Sequence, residues 1–262
     1  MIRSMFSAIS GIKNHQTKMD VISNNIANVN TLAYKSSRVT FQDIYSQTIK
    51  PASSSTGVSG GTNPQQIGMG VGISSIDTNF TPSANQVTGN ALDLALEGDG
   101  FFVVTDGSAD YYTRAGSFTF DGDDNIVNPN GLYLLDEGGG QINTTGYTEV
   151  EIDLHGIVSG LDEYGDRQEI AILGIATFSN NNGLEKVGGN LYRETQNTGT
   201  LRVSSAEDNG QVKVRSGSLE MSNVDLANEF TEMIVTQRGF QANSRVITTS
   251  DAMLEELVNL KR

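Results

Sequence analysis

The chain has 262 residues, 37% of them hydrophobic and 18% charged, with 29 glycines and 4 prolines. That is enough apolar material for a buried core and enough length for more than one domain, which excludes a disordered chain. The formal net charge of −14 excludes nucleic acid as the main partner, because phosphate contacts need a basic surface, and the lack of cysteine excludes disulfides, thiolate metal sites and thiol catalysis.

The N-terminal segment reads as an amphipathic helix. Ile2, Met5, Ile9, Ile12, Gln16, Met19, Ser23 and Ile26 step by three and four, a single stripe with six of eight positions apolar. Asn24, Asn25, Asn28 and Asn30 close the segment, since asparagine competes for backbone hydrogen bonds and tolerates the left-handed conformation. The expected helix is about 25 residues, roughly 38 Å long. The opening stretch MIRSMFSAISGIKNHQTKMD lacks the continuous apolar core and small-residue cleavage site of a secretory signal, and no stretch approaches the roughly 20 apolar residues of a membrane span.

Residues 31–90 change character. YKSSRVTF alternates like a strand, and PASSSTGVSGGTNPQQIGMGVGISS reads as an extended linker of Gly, Ser, Thr and Pro. Residues 91–216 then bring short apolar runs bounded by turn residues: LDLALEGDGFFVV, SFTFDGDDNIV, GLYLLDEGGGQI, EVEIDLHGIV and EIAILGIATF. These predict five strands of an all-β domain, a sandwich or partly closed barrel. Charge divides along the same lines. Residues 1–50 hold six Lys/Arg against two Asp/Glu, whereas residues 91–173 hold two against seventeen, as suits a solvated outer domain.

From Ser222 the helical period returns. Leu226, Phe230, Met233, Gln237, Phe240, Ser244, Ile247, Asp251, Leu254 and Val258 form one stripe; Val235, Ala242, Val246, Met253 and Leu260 form a second. SNVD reads as a capping box opening at Ser222, and Lys261 and Arg262 suit the negative end of the helix dipole. The fold class expected is therefore α+β: paired N- and C-terminal helices in a coiled-coil-like arrangement (residues 1–30 and 217–262) flanking the extended linker and the all-β domain. Burying the first stripe against one stripe of the last helix leaves the other stripe bare. A long bare apolar stripe marks an interface, and a head-to-tail contact between copies can generate a helical polymer; the alternative is that the second stripe packs on the β-domain.

Catalytic readings fail one by one. His15 and His155 are too few and too isolated for a metal pair. Ser10 and Lys13 match a Ser-x-x-Lys pattern but sit on an expected exposed helix with no companion motif. Asp121, Asp123 and Asn125 begin like a calcium loop, yet its sixth and twelfth positions hold Ile126 and Leu132 instead of Gly and Glu. No enzyme, cofactor or metal is expected. A surface adhesin with helical oligomerisation ends is the remote alternative.

Three stretches together carry a resemblance. SAISGIKNHQTKMDVISNNIANVNTLAYKSSRVTF, then LDLALEGDGFFVV with YYTRAGSFTFDGDDNIVNPNGLYLL, then GSLEMSNVDLANEFTEMIVTQRGFQANSRVITTSDAMLEELVNLKR resemble, in family order, the signatures of bacterial flagellar rod and hook proteins. Within that family QRGFQANSR, beginning Gln237-Arg238, and the closing VNLKR are similar to the compact Gram-positive hook branch; the distal rod is the alternative, its members carrying Tyr-Glu where Phe240 and Gln241 stand. The resemblance implies export through the flagellar type III apparatus without a cleaved signal, and an extracellular place in the hook or basal body. It implies helices pairing into a tube with the β-domain outside. In the hook branch the polymer bends as a universal joint that passes motor torque to the filament; in the rod it is a rigid drive shaft. The partners implied are copies of the chain itself and the distal rod, hook cap and hook–filament junction proteins, with no nucleic acid and no membrane insertion. On this reading Ile2, Met5, Ile9, Ile12, Met19 and Ile26 pack on Leu226, Phe230, Met233, Phe240, Ile247 and Leu254.

Overall fold

Helical periodicity sets both ends of the chain. In the computed structural model, which describes residues 2–54, 60–206 and 212–260 apart from the Ile2 side chain, helix α1 spans Ile2–Ala27 and helix α2 spans Leu226–Asn259. Lys261 and Arg262, expected to close the last helix, lie outside the described residues. The cap of α2 is Asp225 rather than Ser222: its carboxylate accepts from the backbone N–H of Ala227 at 2.9 Å and of Asn228 at 3.4 Å. One acidic oxygen thereby serves two amides that have no partner inside the helix.

The chain divides into two compact units, one of Met1–Ala27, Ser37–Asn79 and Asp225–Arg262, the other of Asn28–Ser36 and Phe80–Val224. Residues 31–90 are thus shared between the units and do not stand apart as a linker. In the first unit Ser37–Asp43 runs antiparallel to Val71–Thr78, with a bulge between Thr40 and Phe41. The ribbon continues as Ser46–Lys50 paired with Gln65–Gly68. Small residues let it lie close on α1. Gly70 has φ +134, and a side chain there would come within 2.5 Å of the Ser10 hydroxyl. Asn14 Nδ2 donates to the Val71 carbonyl at 2.6 Å, and the Val71 N–H donates to Ser10 Oγ at 3.3 Å.

The second unit is almost entirely β. Most of the expected runs resolve into pairs of shorter strands. LDLALEGDGFFVV becomes Leu94–Glu97 and Phe101–Thr105, broken at Gly98, whose φ of +115 suits no other residue type well. EVEIDLHGIV becomes a hairpin of Thr148–Ile152 and Ile157–Leu161, extended by Arg167–Ile172. Phe101–Thr105 lies between Asp110–Thr113 and Tyr133–Leu134 in the largest sheet and is buried along its whole length. Successive side chains of a strand point to opposite faces, which explains the unbroken run Phe-Phe-Val-Val. Phe102 and Val104 enter one apolar cluster with Leu94, Leu96 and Phe118; Phe101 and Val103 enter another with Tyr112 and Tyr192.

Candidate functional site

The two helices meet along a seam of small and polar residues. Gly11 faces Asn243, His15 faces Gly239, Lys18 Nζ pairs with Glu232 at 2.7 Å, and Asn25 Nδ2 donates to Glu229 Oε1 at 3.0 Å. Rising numbers on α1 meet falling numbers on α2, so the pair is antiparallel. A methyl group at Gly11 would sit 2.7 Å from Asn243 Nδ2, and one at Gly239 would sit 2.7 Å from the His15 ring. Close approach therefore selects residues that occupy little space. Ala8, Ile22 and Asn25 are buried on the α1 side, Thr236 and Ser250 on the α2 side.

This corrects the expected packing on α1. The seam runs through 8, 11, 15, 18, 22 and 25, one residue N-terminal of the predicted apolar stripe. Met5, Ile12, Met19 and Ile26 are half-buried at its edge, Ile9 is exposed, and the Ile2 side chain lies outside the described residues. On α2, Met233, Phe240, Ile247 and Leu254 are half-buried, whereas Leu226 and Phe230 are exposed. Gln237 and Arg238 are exposed, with Arg238 Nη1 donating to Gln241 at 3.4 Å. The second stripe is bare: Val235, Ala242, Val246, Met253 and Leu260 are all exposed, the last 81% so.

The asparagines divide by task. Asn25 donates to the Ser37 carbonyl at 2.8 Å and accepts from the Ser37 N–H at 3.0 Å, so its amide pairs with the first strand of the ribbon as another strand would. Its further bond reaches Glu229, whose carboxyl is pushed up by burial against the opposing effect of that bond. Asn28 accepts from the Thr31 hydroxyl at 3.0 Å in the turn after α1, and Asn24 and Asn30 face solvent.

The sequence reading missed one cluster, in the second unit. Lys35, Arg114 and Glu220 are each at most 1% exposed. Glu220 Oε1 accepts from Lys35 Nζ at 2.7 Å and from the Ser83 N–H at 3.1 Å, and Glu220 Oε2 lies 3.5 Å from Arg114 Nη1. Lys35 also donates to the Thr81 carbonyl at 2.9 Å, and Arg114 donates to the Gly98 carbonyl at 2.7 Å while stacking over Phe101. Burial holds the Lys35 ammonium below its usual range, with Glu220 acting the other way. Removing one partner would strand an uncompensated charge, so the three residues act as a clasp between the first, middle and last segments of the unit. Each of the three comes from a different one of the stretches that carry the family resemblance, where it stands among other charges that stay at the surface.

Ser10 and His15, weighed above for chemistry, take part in packing. Ser10 donates to the Ser7 carbonyl at 2.8 Å and holds the ribbon. His15 is wedged between Gly239 and the edge of Phe41, and burial, with Lys18 beside it, holds its imidazole below the ordinary value. Among the described residues no group of three or more His, Asp or Glu is placed to hold a metal, and no helix is long and apolar enough to cross a membrane. What the helix pair offers is bare apolar surface, worth roughly 1.5–3 kcal/mol for each large side chain that a neighbour buries fully.

Comparison with known proteins follows the same map. Residues 5–35 match the family described as flagella basal body rod protein, residues 95–160 the flagellar hook protein FlgE/F/G D1 domain, and residues 215–260 the flagellar basal body rod FlgEFG protein C-terminal region. The chain is 52% identical to the flagellar basal-body rod protein FlgG of Bacillus subtilis (strain 168), over all of both chains. It is 36% identical to FlgG of Buchnera aphidicola subsp. Acyrthosiphon pisum (strain APS), over 99% of this chain and all of that one. It is 30% identical to the flagellar hook protein FlgE of Borreliella burgdorferi (strain ATCC 35210 / DSM 4680 / CIP 102532 / B31), covering all of both chains in an alignment of 441 positions.

Proposed function

The chain belongs to the flagellar rod and hook protein family, and from that premise we propose that it is a structural subunit of the flagellar rod, polymerising through its helix pair. The observation that carries this reading is the 52% identity to a rod protein along the full length of both chains. The hook relative reaches full coverage only across 441 positions, far more than the 262 residues here, so it carries long segments that this chain lacks. That reverses the order expected from QRGFQANSR, where Phe240 and Gln241 favoured the hook. A rigid shaft rather than a bending joint is the consequence.

The mechanism is physical. Copies meet head to tail, each burying the bare stripe of α2 in a surface of the next. Many such contacts share the torque, so no single one is heavily loaded. The partners of the end copies are the adjoining rod and hook proteins, and the chain reaches its place through the flagellar export apparatus.

Labelled antibody on isolated hook–basal bodies tests the assignment. The rod reading expects label on the shaft below the hook and none along the hook. Label along the curved hook overturns it in favour of the hook reading that Phe240 and Gln241 support.

A further inference from the structure

One end of the helix pair carries an exposed knob on α1 and an open groove on α2. The antiparallel register brings the start of α1 level with about residue 250 of α2, where Ser250 is the last fully buried side chain. Beyond it the final turns of α2 run without α1 beside them. Ala252, Met253, Glu256 and Leu257 line a shallow, wide-open apolar hollow of about 400 Å³ there. On α1, Phe6 is 65% exposed, with Arg3 one turn before it and exposed Ile9 one turn after, all on one face.

Charge favours their meeting. No acidic residue precedes Asp20, so the face around Phe6 is basic through Arg3 and Lys13. Residues 251–260 hold Asp251, Glu255 and Glu256 and no base; the sign turns only at Lys261 and Arg262, outside the described residues. All five of these charged side chains from the knob and the groove are exposed, and none forms an ion pair among the described residues.

We propose that the Phe6 knob of one copy seats in the Met253–Leu257 groove of the next, with Arg3 against Glu256. This rests on the self-assembly reading above and names the contact that carries it. Knob and groove are different patches, so each copy that fills one groove offers another, and the contact can pass from copy to copy. The occupant is a second copy because the knob has the size, the apolar face and the charge that the groove lacks.

The chain has no cysteine, which makes the test clean. A strain carries the Phe6→Cys, Leu257→Cys double variant in place of its own copy, and its basal bodies are isolated and oxidised. The proposal expects a ladder of dimer, trimer and longer species, absent from each single variant and from a Tyr164→Cys, Leu257→Cys control. Incorporation without a ladder above the control overturns the contact and leaves the rod reading standing. A cross-link to a different protein overturns the choice of a second copy. Absence of the unaltered chain from basal bodies overturns both readings. If the cysteine variant fails to assemble, charge reversal decides. Arg3→Glu and Glu256→Arg should each cut assembly at least tenfold, and together should restore it to within about threefold. A double variant as poor as the worse single one overturns the contact.

Discussion

The two units use their apolar residues in opposite ways. Among the described residues of the helical unit only Ala8 and Ile22 are buried hydrophobics, and the seam between its helices is filled by Gly11, His15, Asn25, Thr236, Gly239 and Asn243. The β unit buries Phe101, Phe102, Leu94, Ile175 and some twenty others. Of the 25 large hydrophobic residues exposed among the described residues, 18 belong to the helical unit. One unit has met its need for burial inside the chain, and the other leaves apolar surface bare, which on the proposed function is held for other copies. A close helix seam makes this possible. Because small residues let the backbones approach, the large side chains are displaced to the flanks, where a neighbour can reach them.

If that contrast is right, removing the helices should abolish one property and spare the other. A chain of residues 28–224 retains every segment of the β unit. It should still unfold cooperatively, followed by β-type circular dichroism, and should fail wholly to assemble. Assembly by this fragment would break the contrast outright.

The clasp gives the largest effect confined to the β unit. Glu220→Ala strands Lys35 and Arg114 in the interior, at about 3–5 kcal/mol, a fall in melting temperature on the order of 10 °C. Far-UV thermal melts check it. A drop under about 2 °C would mean the three charges are not held as described.

Seam substitutions act on the other unit. Gly239→Val drives a branched side chain into His15 and should cost about 1–3 kcal/mol of helix-pair stability while leaving the β-unit melt in place. Hydrogen exchange resolved by segment separates the two. Equal loosening of both units would show that they are not independent.

The smallest effect is at alkaline pH. Burial pushes the Tyr112 phenol up to about 12 from an ordinary 10, with Glu194 and Asp110 adding to it. Below pH 10 both folded and unfolded chains keep this proton. Between about 10 and 12 the unfolded chain releases it first, so stability is lost as pH rises through that window. Tyr112→Phe should flatten this part of the stability curve of the β unit, measured by denaturant titration at pH 9 and 11. An unchanged slope would exclude Tyr112 as its source.

Much of this was legible from periodicity. Both helices follow from apolar residues spaced by three and four, and the bare second stripe of α2 from Val235, Ala242, Val246, Met253 and Leu260. The seam was not legible, because hydrophobicity ranks Ile9 above Gly11, while contact between close helices ranks them the other way. The ribbon partner Val71–Thr78 was hidden for a related reason. Its Gly72, Ser74 and Ser75 look like loop residues, and the close approach to α1 is made just before it, at Gly70. The clasp needed long-range pairing of residues 35, 114 and 220, which no local window contains. The choice between rod and hook turned on chain length and identity to relatives, where a dipeptide at 240–241 had pointed the other way.

The central claim is that the helical unit completes its burial only against other copies. Hydrogen–deuterium exchange of residues 226–260 in the dispersed chain and in the assembled shaft tests it most directly. The account predicts strong additional protection of this segment on assembly, with little change for residues 94–178. Equal protection of residues 226–260 in both states would contradict it.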